Sequence, residues 1–200
     1  MFPLGTVLFP HAQLPLHIFE PRYRALIRDC LAADALFGIV LIERGSEVGG
    51  GDQRAPVGTL AVVSQAAELA DGRWFLVATG VERIRIIEWL PDAPYPLALV
   101  EDWPGEGEPA AAAVLHDTEQ RVRRTRGLLA ESGAAAALSA DADFHEDGDI
   151  ASWQLCAEAP VSAFDAQRLL SSRGSAARVE LLMQLIGDVE DDLRRMLAGE

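Results

Sequence analysis

Apolar residues along the first hundred positions fall into short runs broken by proline, glycine and charge, which is the patterning of strands. Leu4–Phe9 and Leu14–Ile18 are two such runs, separated by Pro10 and Gln13, and Leu36–Ile42 is nearly continuous, as in a strand buried on both faces. Between them one segment has a different period. Pro21 suits the first position of a helix, and Tyr23, Leu26, Ile27, Cys30 and Leu31 recur at intervals that gather on one helical face. Val57–Leu69 and Trp74–Thr79 flank Asp71-Gly72, a dipeptide that readily takes the positive φ angles of a tight turn, so the pair predicts a hairpin. Val81–Trp89 reads as a further strand with two mixed faces, Val81, Arg83, Arg85 and Ile87 on one and Glu82, Ile84, Ile86 and Glu88 on the other. Tyr95–Trp103 closes the series. The run Pro104 to Pro109, rich in glycine and glutamate, predicts a boundary between a β-rich lobe over 1–105 and a helical lobe over 110–200.

In the second half the period changes to that of helices. Leu115, Thr118, Val122, Thr125 and Leu129 mark one face of a helix running to about Ser132. The stretch 134–149 is rich in small and acidic residues and is expected to be mobile. A helix over Ile150–Glu158 ends at Pro160, and Ser162 with Asp165 forms a capping-box pattern that opens a short helix stopping near Gly174. Ser175 is read as the cap of a last long helix. Its buried face is Val179, Leu182, Met183, Ile186, Leu193 and Leu197, with Asp188, Glu190, Asp191 and Asp192 turned to solvent.

Charge narrows the function classes. All 17 basic residues are arginine, and the absence of lysine removes Schiff-base chemistry, a P-loop lysine and a Ser-Lys dyad from this chain. The net charge is -14, of which residues 101–200 carry -11, a poor match to the phosphate backbone of nucleic acid. The densest basic stretch, Arg121, Arg123, Arg124 and Arg126, reads as a solvated helix face with Asp117–Arg121 and Glu119–Arg123 pairs. Cys30 and Cys156 lie in apolar helical patterns and read as small core residues of a reducing compartment. No signal segment or membrane-length apolar run is present, so a cytoplasmic location without membrane contact is expected.

Candidate chemistry is sparse. His11, His17 and Glu20 lack a frame that would converge them on a metal ion. The acids Asp141, Asp143, Glu146, Asp147 and Asp149 with His145 lack the ligand spacing of an EF-hand. No G-x-S-x-G elbow occurs, and Gly49–Gly51 is not followed by a phosphate-binding pattern, so it reads as a flexible hairpin tip. No metal and no cofactor is expected.

Two stretches carry a family resemblance. Phe2-Pro3-Leu4-Gly5-Thr6-Val7-Leu8-Phe9-Pro10, followed by Leu14 to Arg24 with His17, Glu20, Pro21, Arg22 and Tyr23, resembles the opening of the amino-terminal domain of the Lon protease family in its stand-alone form. Val57-Gly58-Thr59-Leu60-Ala61, then Asp71-Gly72-Arg73, then Gly80 to Ile86 is similar to that domain's later strands, and Trp153 to Leu197 resembles its helical bundle. The resemblance implies an α+β chain, a PUA-like β pseudobarrel lobe followed by a helical bundle lobe, and a non-catalytic module. Such a module is expected to engage unfolded or exposed apolar polypeptide segments, or to act as an adaptor for a separate protease. The motif residues are read as structural: Pro10, Pro15 and Pro21 fix φ and break a long strand into pieces, Gly58 and Gly80 permit bulges or tight turns, and Glu20 pairs with Arg22 or Arg24. Trp103, Trp153 and Phe164 are the candidates for polypeptide contact, in an apolar groove near the junction of the lobes. An alternative from another class is a small hydrolase or isomerase with His17 and Glu20 as acid and base, which an ion-paired Glu20 weighs against.

Overall fold

The computed structural model of the protein describes residues 1–45, 53–131, 133, 136–139 and 143–198, the last two without side chains. The Gly49–Gly51 tip, parts of the acidic segment (134, 135 and 140–142) and the Leu197 side chain lie outside the described residues. Two compact units divide the chain, 1–104 and 105–200.

The first unit contains β1 (Phe2–Leu4), β2 (Gln13–Ile18), α1 (Pro21–Leu31), β3 (Leu36–Arg44), β4 (Gln53–Glu68), β5 (Trp74–Leu90) and β6 (Leu97–Asp102). Its sheet runs β1-β3-β4-β5-β2, with β6 pairing the far half of β5. Among the described residues only the β1 to β3 pairing is parallel. Helix α1 begins at Pro21 and lays Tyr23, Leu26, Ile27 and Cys30 on the sheet, against Phe2, Ile18, Phe37, Ile39 and Leu76. Each large side chain so buried contributes about 1.5–3 kcal/mol, which is why the helix holds despite an N-cap, Glu20, that makes no side-chain capping bond.

Two strand expectations change. The run Leu4–Phe9 is strand only over Phe2–Leu4 in β1; Leu8, Phe9 and Pro10 are buried, but they carry the chain across to β5 as a turn. There Thr59 Oγ1 donates to the Leu8 carbonyl at 2.5 Å, His11 takes φ 63°, and His11 and Ala12 exchange backbone bonds with Gly80. Trp74–Thr79 and Val81–Trp89 are one strand, β5, interrupted by a bulge at Val81 where the register steps from Glu82 opposite Leu60 to Gly80 opposite Ala61. The extra residue shifts the parity, so that Arg83 joins the face of Leu76 and Ala78 while Ile84 is buried on the opposite face, and the two faces look mixed in sequence.

The second unit holds α2 (Ala112–Glu131), α3 (Gly148–Glu158), α4 (Ala163–Leu170) and α5 (Ser175–Ala198). Ala110 N–H donates to Ser175 Oγ, and Thr125 Oγ1 donates to Glu190, so α2 and α5 keep one offset at both ends and run parallel. Leu115 packs beside Gly148 and Arg126 bonds Glu158, so α3 runs the same way. The short helix α4 carries the chain back. Val122, Trp153, Leu155, Leu169, Val179, Leu182 and Ile186 fill the centre.

Three local expectations shift here. Arg121 pairs with Glu190 of α5 at 2.9 Å instead of Asp117, which draws Glu190 inward from its expected solvent face. Ser175 is the first residue of α5, its hydroxyl accepting from Ala110 rather than capping its own helix. Helix α4 ends at Leu170, short of Gly174. Glu119–Arg123 forms at 2.8 Å, and Ser162 caps α4 by accepting from Asp165 N–H.

Candidate functional site

Three strands of the first unit build an apolar depression. Antiparallel register sets Pro15 of β2 opposite Val77 of β5 and His17 opposite Phe75. On the other side of β5, a bulge at Ser64 brings Gln65 opposite Val77 and Ala67 opposite Phe75. The displaced Ser64 Oγ donates to the Val77 carbonyl at 2.9 Å, which fixes that register. Two rows of outward side chains result, Pro15-Val77-Gln65 and His17-Phe75-Ala67, and they wall a cavity of about 500 Å³. That volume lies within the usual range of ligand sites, about 300–1,000 Å³. Phe75 is 51% exposed, and the His17 ring stacks on it at 4.5 Å and 15°. A smaller cavity of about 160 Å³ lies on the other side of β2, lined by Phe2, Leu4, Leu16, Ile18, Phe19 and Tyr23, and shares Pro15, Leu16 and His17 with the first.

His17 thus serves as an aromatic wall. Glu20, which also borders the smaller cavity, accepts from Arg22 Nε at 3.1 Å, so its carboxylate is engaged by a cation and is poorly placed to act as a base beside His17. The Arg22 guanidinium in turn lies 4.5 Å from the centre of the Tyr23 ring, and Tyr23 packs on Phe2. Pro10 and Gly80 meet in the turn onto β5: a Cβ at Gly80 would strike the Phe9 carbonyl, and one at Gly58 the Ile39 carbonyl of β3. Close backbone approach, more than a bulge, is what Gly58 permits. Among the described residues, no group of three or more His, Cys, Asp or Glu side chains is placed to hold a metal ion.

The three aromatic candidates fare differently. Trp153 is 4% exposed and lies under the Arg178 guanidinium, 3.1 Å from the ring centre, so it is a core residue of the second unit and offers no contact surface. Trp103 is half-buried beneath Arg83 and Arg85, at 4.5 and 4.9 Å. Phe164, at the first turn of α4, is 59% exposed. Sequence reading missed Phe75, Val77, Ala67 and Gln65. Their outward parity beside Pro15 and His17 exists only once two bulged strands are paired, and no local signal carries that register.

Comparison with known proteins agrees with this architecture. The family described as the ATP-dependent protease La (LON) substrate-binding domain matches residues 1–188. The chain belongs to this Lon substrate-binding domain family. Lon protease 2 of Myxococcus xanthus is 26% identical over 194 residues, 95% of this chain and 23% of that protein. A LON peptidase N-terminal domain and RING finger protein of Schizosaccharomyces pombe is 29% identical over 113 residues, 50% of this chain and 23% of that protein. The chain therefore spans about a quarter of the length of these relatives. Among solved structures, a Lon N-terminal domain protein from Xanthomonas campestris has a TM-score of 0.67 at 24% identity, covering 92% of this chain and 95% of its own. The N-terminal domain of the Mycobacterium avium complex Lon protease has a TM-score of 0.59 at 18% identity, covering 93% and 97%. These likenesses fix a mixed α+β Lon-type fold with a six-stranded sheet. No helix among the described residues is long and apolar enough to cross a membrane.

Proposed function

We propose that this Lon-type domain binds exposed apolar segments of other polypeptides in the cavity walled by Pro15, His17, Phe75, Val77 and Ala67, and does so without chemical turnover. The observation that carries the reading is that cavity: half-exposed aromatic surface at its wall, apolar residues from three strands, and His17 and Gln65 as its polar groups. The family's description as a substrate-binding domain supports the class of ligand. Pairing of Glu20 with Arg22 weighs against the hydrolase alternative.

The same binding supports a proposed adaptor role, in which bound clients are presented to a separate protease. Trp103 and Phe164 remain proposed accessory contacts, each from its own unit. The test is a titration of reduced casein at low salt and at about 0.15 M, where the Debye length is about 8 Å. Burial of apolar area predicts an affinity that changes little with salt, falls about tenfold in Phe75→Ala, and falls less in Phe164→Ala. Absence of binding, or binding that salt abolishes and Phe75→Ala leaves alone, refutes the cavity as the site.

A further inference from the structure

The free edge of β2 is shaped by one residue. Pro15 has no N–H to give, so the two-bond pairs of the β2–β5 ladder cannot fall at Pro15 and Val77. They fall at Leu14 with Ala78 and at Leu16 with Leu76. By alternation, the backbone groups of Gln13, Pro15 and His17 point away from β5. The Ser64 hydroxyl bonded to the Val77 carbonyl agrees, because it shows that Val77 turns its polar groups toward β4. Among the described residues β2 has no second strand neighbour, and β1, the other end of the sheet, contributes Phe2 and Leu4 to the same small cavity. The edge therefore offers the Gln13 and His17 N–H groups as donors and the Gln13, Pro15 and His17 carbonyls as acceptors.

We infer that the bound polypeptide is held extended, as an added strand along this edge, with successive side chains entering the two cavities that share Pro15, Leu16 and His17. This deepens the proposed function and rests on it. In an added strand, the residue that exchanges both backbone bonds with His17 projects its side chain to the same face as His17, toward Phe75 and the larger cavity. Its neighbours project to the opposite face, where Phe2, Leu4, Ile18 and Tyr23 line the smaller one. Main-chain bonds give such binding tolerance of sequence, and the paired cavities favour apolar residues. Because Pro15 withholds one donor, the edge pairs less readily with a second copy of itself.

The test uses the full chain and a short peptide alternating phenylalanine with threonine, prepared with backbone N-methyl groups either on the phenylalanines or on the threonines. Side chains are identical in all three. Strand addition with phenylalanine in the larger cavity expects the phenylalanine-methylated form to lose about tenfold or more in affinity, while the threonine-methylated form stays within about twofold. It also expects exchange of the His17 amide hydrogen to slow when the parent peptide binds. Equal affinity of all three peptides overturns strand addition and leaves cavity binding standing. So does Phe75-dependent casein binding without any binding of the parent peptide. A dimer that protects the His17 amide and that the peptide does not displace assigns the edge to a second copy and overturns the inference. Failure of both casein and peptide to bind refutes the cavity reading and this inference with it.

Discussion

Arg178 is 1% exposed in a bundle of modest size, and its charge is tolerable because three neighbours answer it. Its Nη2 donates to Asp149 at 2.5 Å, its Nε to the Ser152 hydroxyl at 3.0 Å, and its plane lies over Trp153. Taking the carboxylate away leaves a buried cation short of its counter-charge. Asp149→Ala is expected to cost about 2–3 kcal/mol in urea unfolding followed by helical circular dichroism, although Asp149 itself is largely exposed. Glu190 behaves differently. Hydrogen bonding from Arg121 first, then from Thr125, holds its carboxyl below the ordinary glutamate value, against the opposing effect of burial. A depressed folded value means that the stabilisation is complete above about pH 4.3, where the unfolded chain is also ionised, and is lost as pH falls through the folded value. Glu190→Gln should therefore be less stable than the parent at neutral pH, with a smaller loss on acidification below about pH 4.3. A parallel acid titration of both proteins would contradict this.

Among the elements, the turn of Phe9 to Ala12 onto β5 is the most exacting. A methyl group at Gly80 meets the Phe9 carbonyl, so Gly80→Ala must push the turn away from the sheet and break its exchange of bonds with His11 and Ala12. The expected cost is about 1–3 kcal/mol, read as a lowered Tm. The same turn marks where sequence reasoning ran short. Helix α1, β3 and the hairpin across Asp71-Gly72 were legible because their signals are local: a proline at the helix start, one period of apolar residues, and a dipeptide suited to positive φ, which Gly72 adopts at 77°. Leu8 and Phe9 are as apolar as any strand, yet the Leu8 carbonyl takes its bond from the Thr59 hydroxyl, about fifty residues on, and Phe9 closes a local turn with Ala12, and no period announces that. The cavity was hidden for a related reason. His17 drew attention by its chemistry, whereas its use depends on Phe75, which a hairpin and a bulge bring beside it. Trp153 was misjudged because an aromatic residue opening a helix reads alike whether it is covered by an arginine 25 residues later or left bare.

For the whole molecule, composition remains the firmest guide to what chemistry it leaves aside. A chain with 17 arginines, no lysine and a net charge of -14 is expected to leave casein intact with or without ATP, when assayed free of contaminating protease. It is also expected not to retain RNA at about 0.15 M salt, where phosphate attraction is screened and the acidic surface repels. Turnover of casein, or retention of RNA in a filter assay at that salt, would overturn the corresponding expectation. The family match over residues 1–188 gives these two assays their interest, since the relatives include proteases about four times this chain's length.

Parallel helices have an electrical consequence. With α2, α3 and α5 pointing one way, their macrodipoles lie side by side, gathering partial positive charge at one end of the second unit and partial negative charge at the other. Local groups answer each pole. The Asp147 carboxylate accepts from the Asp149 and Ile150 N–H groups at the start of α3, and the Arg126 guanidinium donates to the Glu158 carbonyl at its end. A charged partner approaching this unit meets two opposite poles, answered at the ends of α3 by side chains of the complementary sign, on a body whose net charge alone would describe it as uniformly acidic.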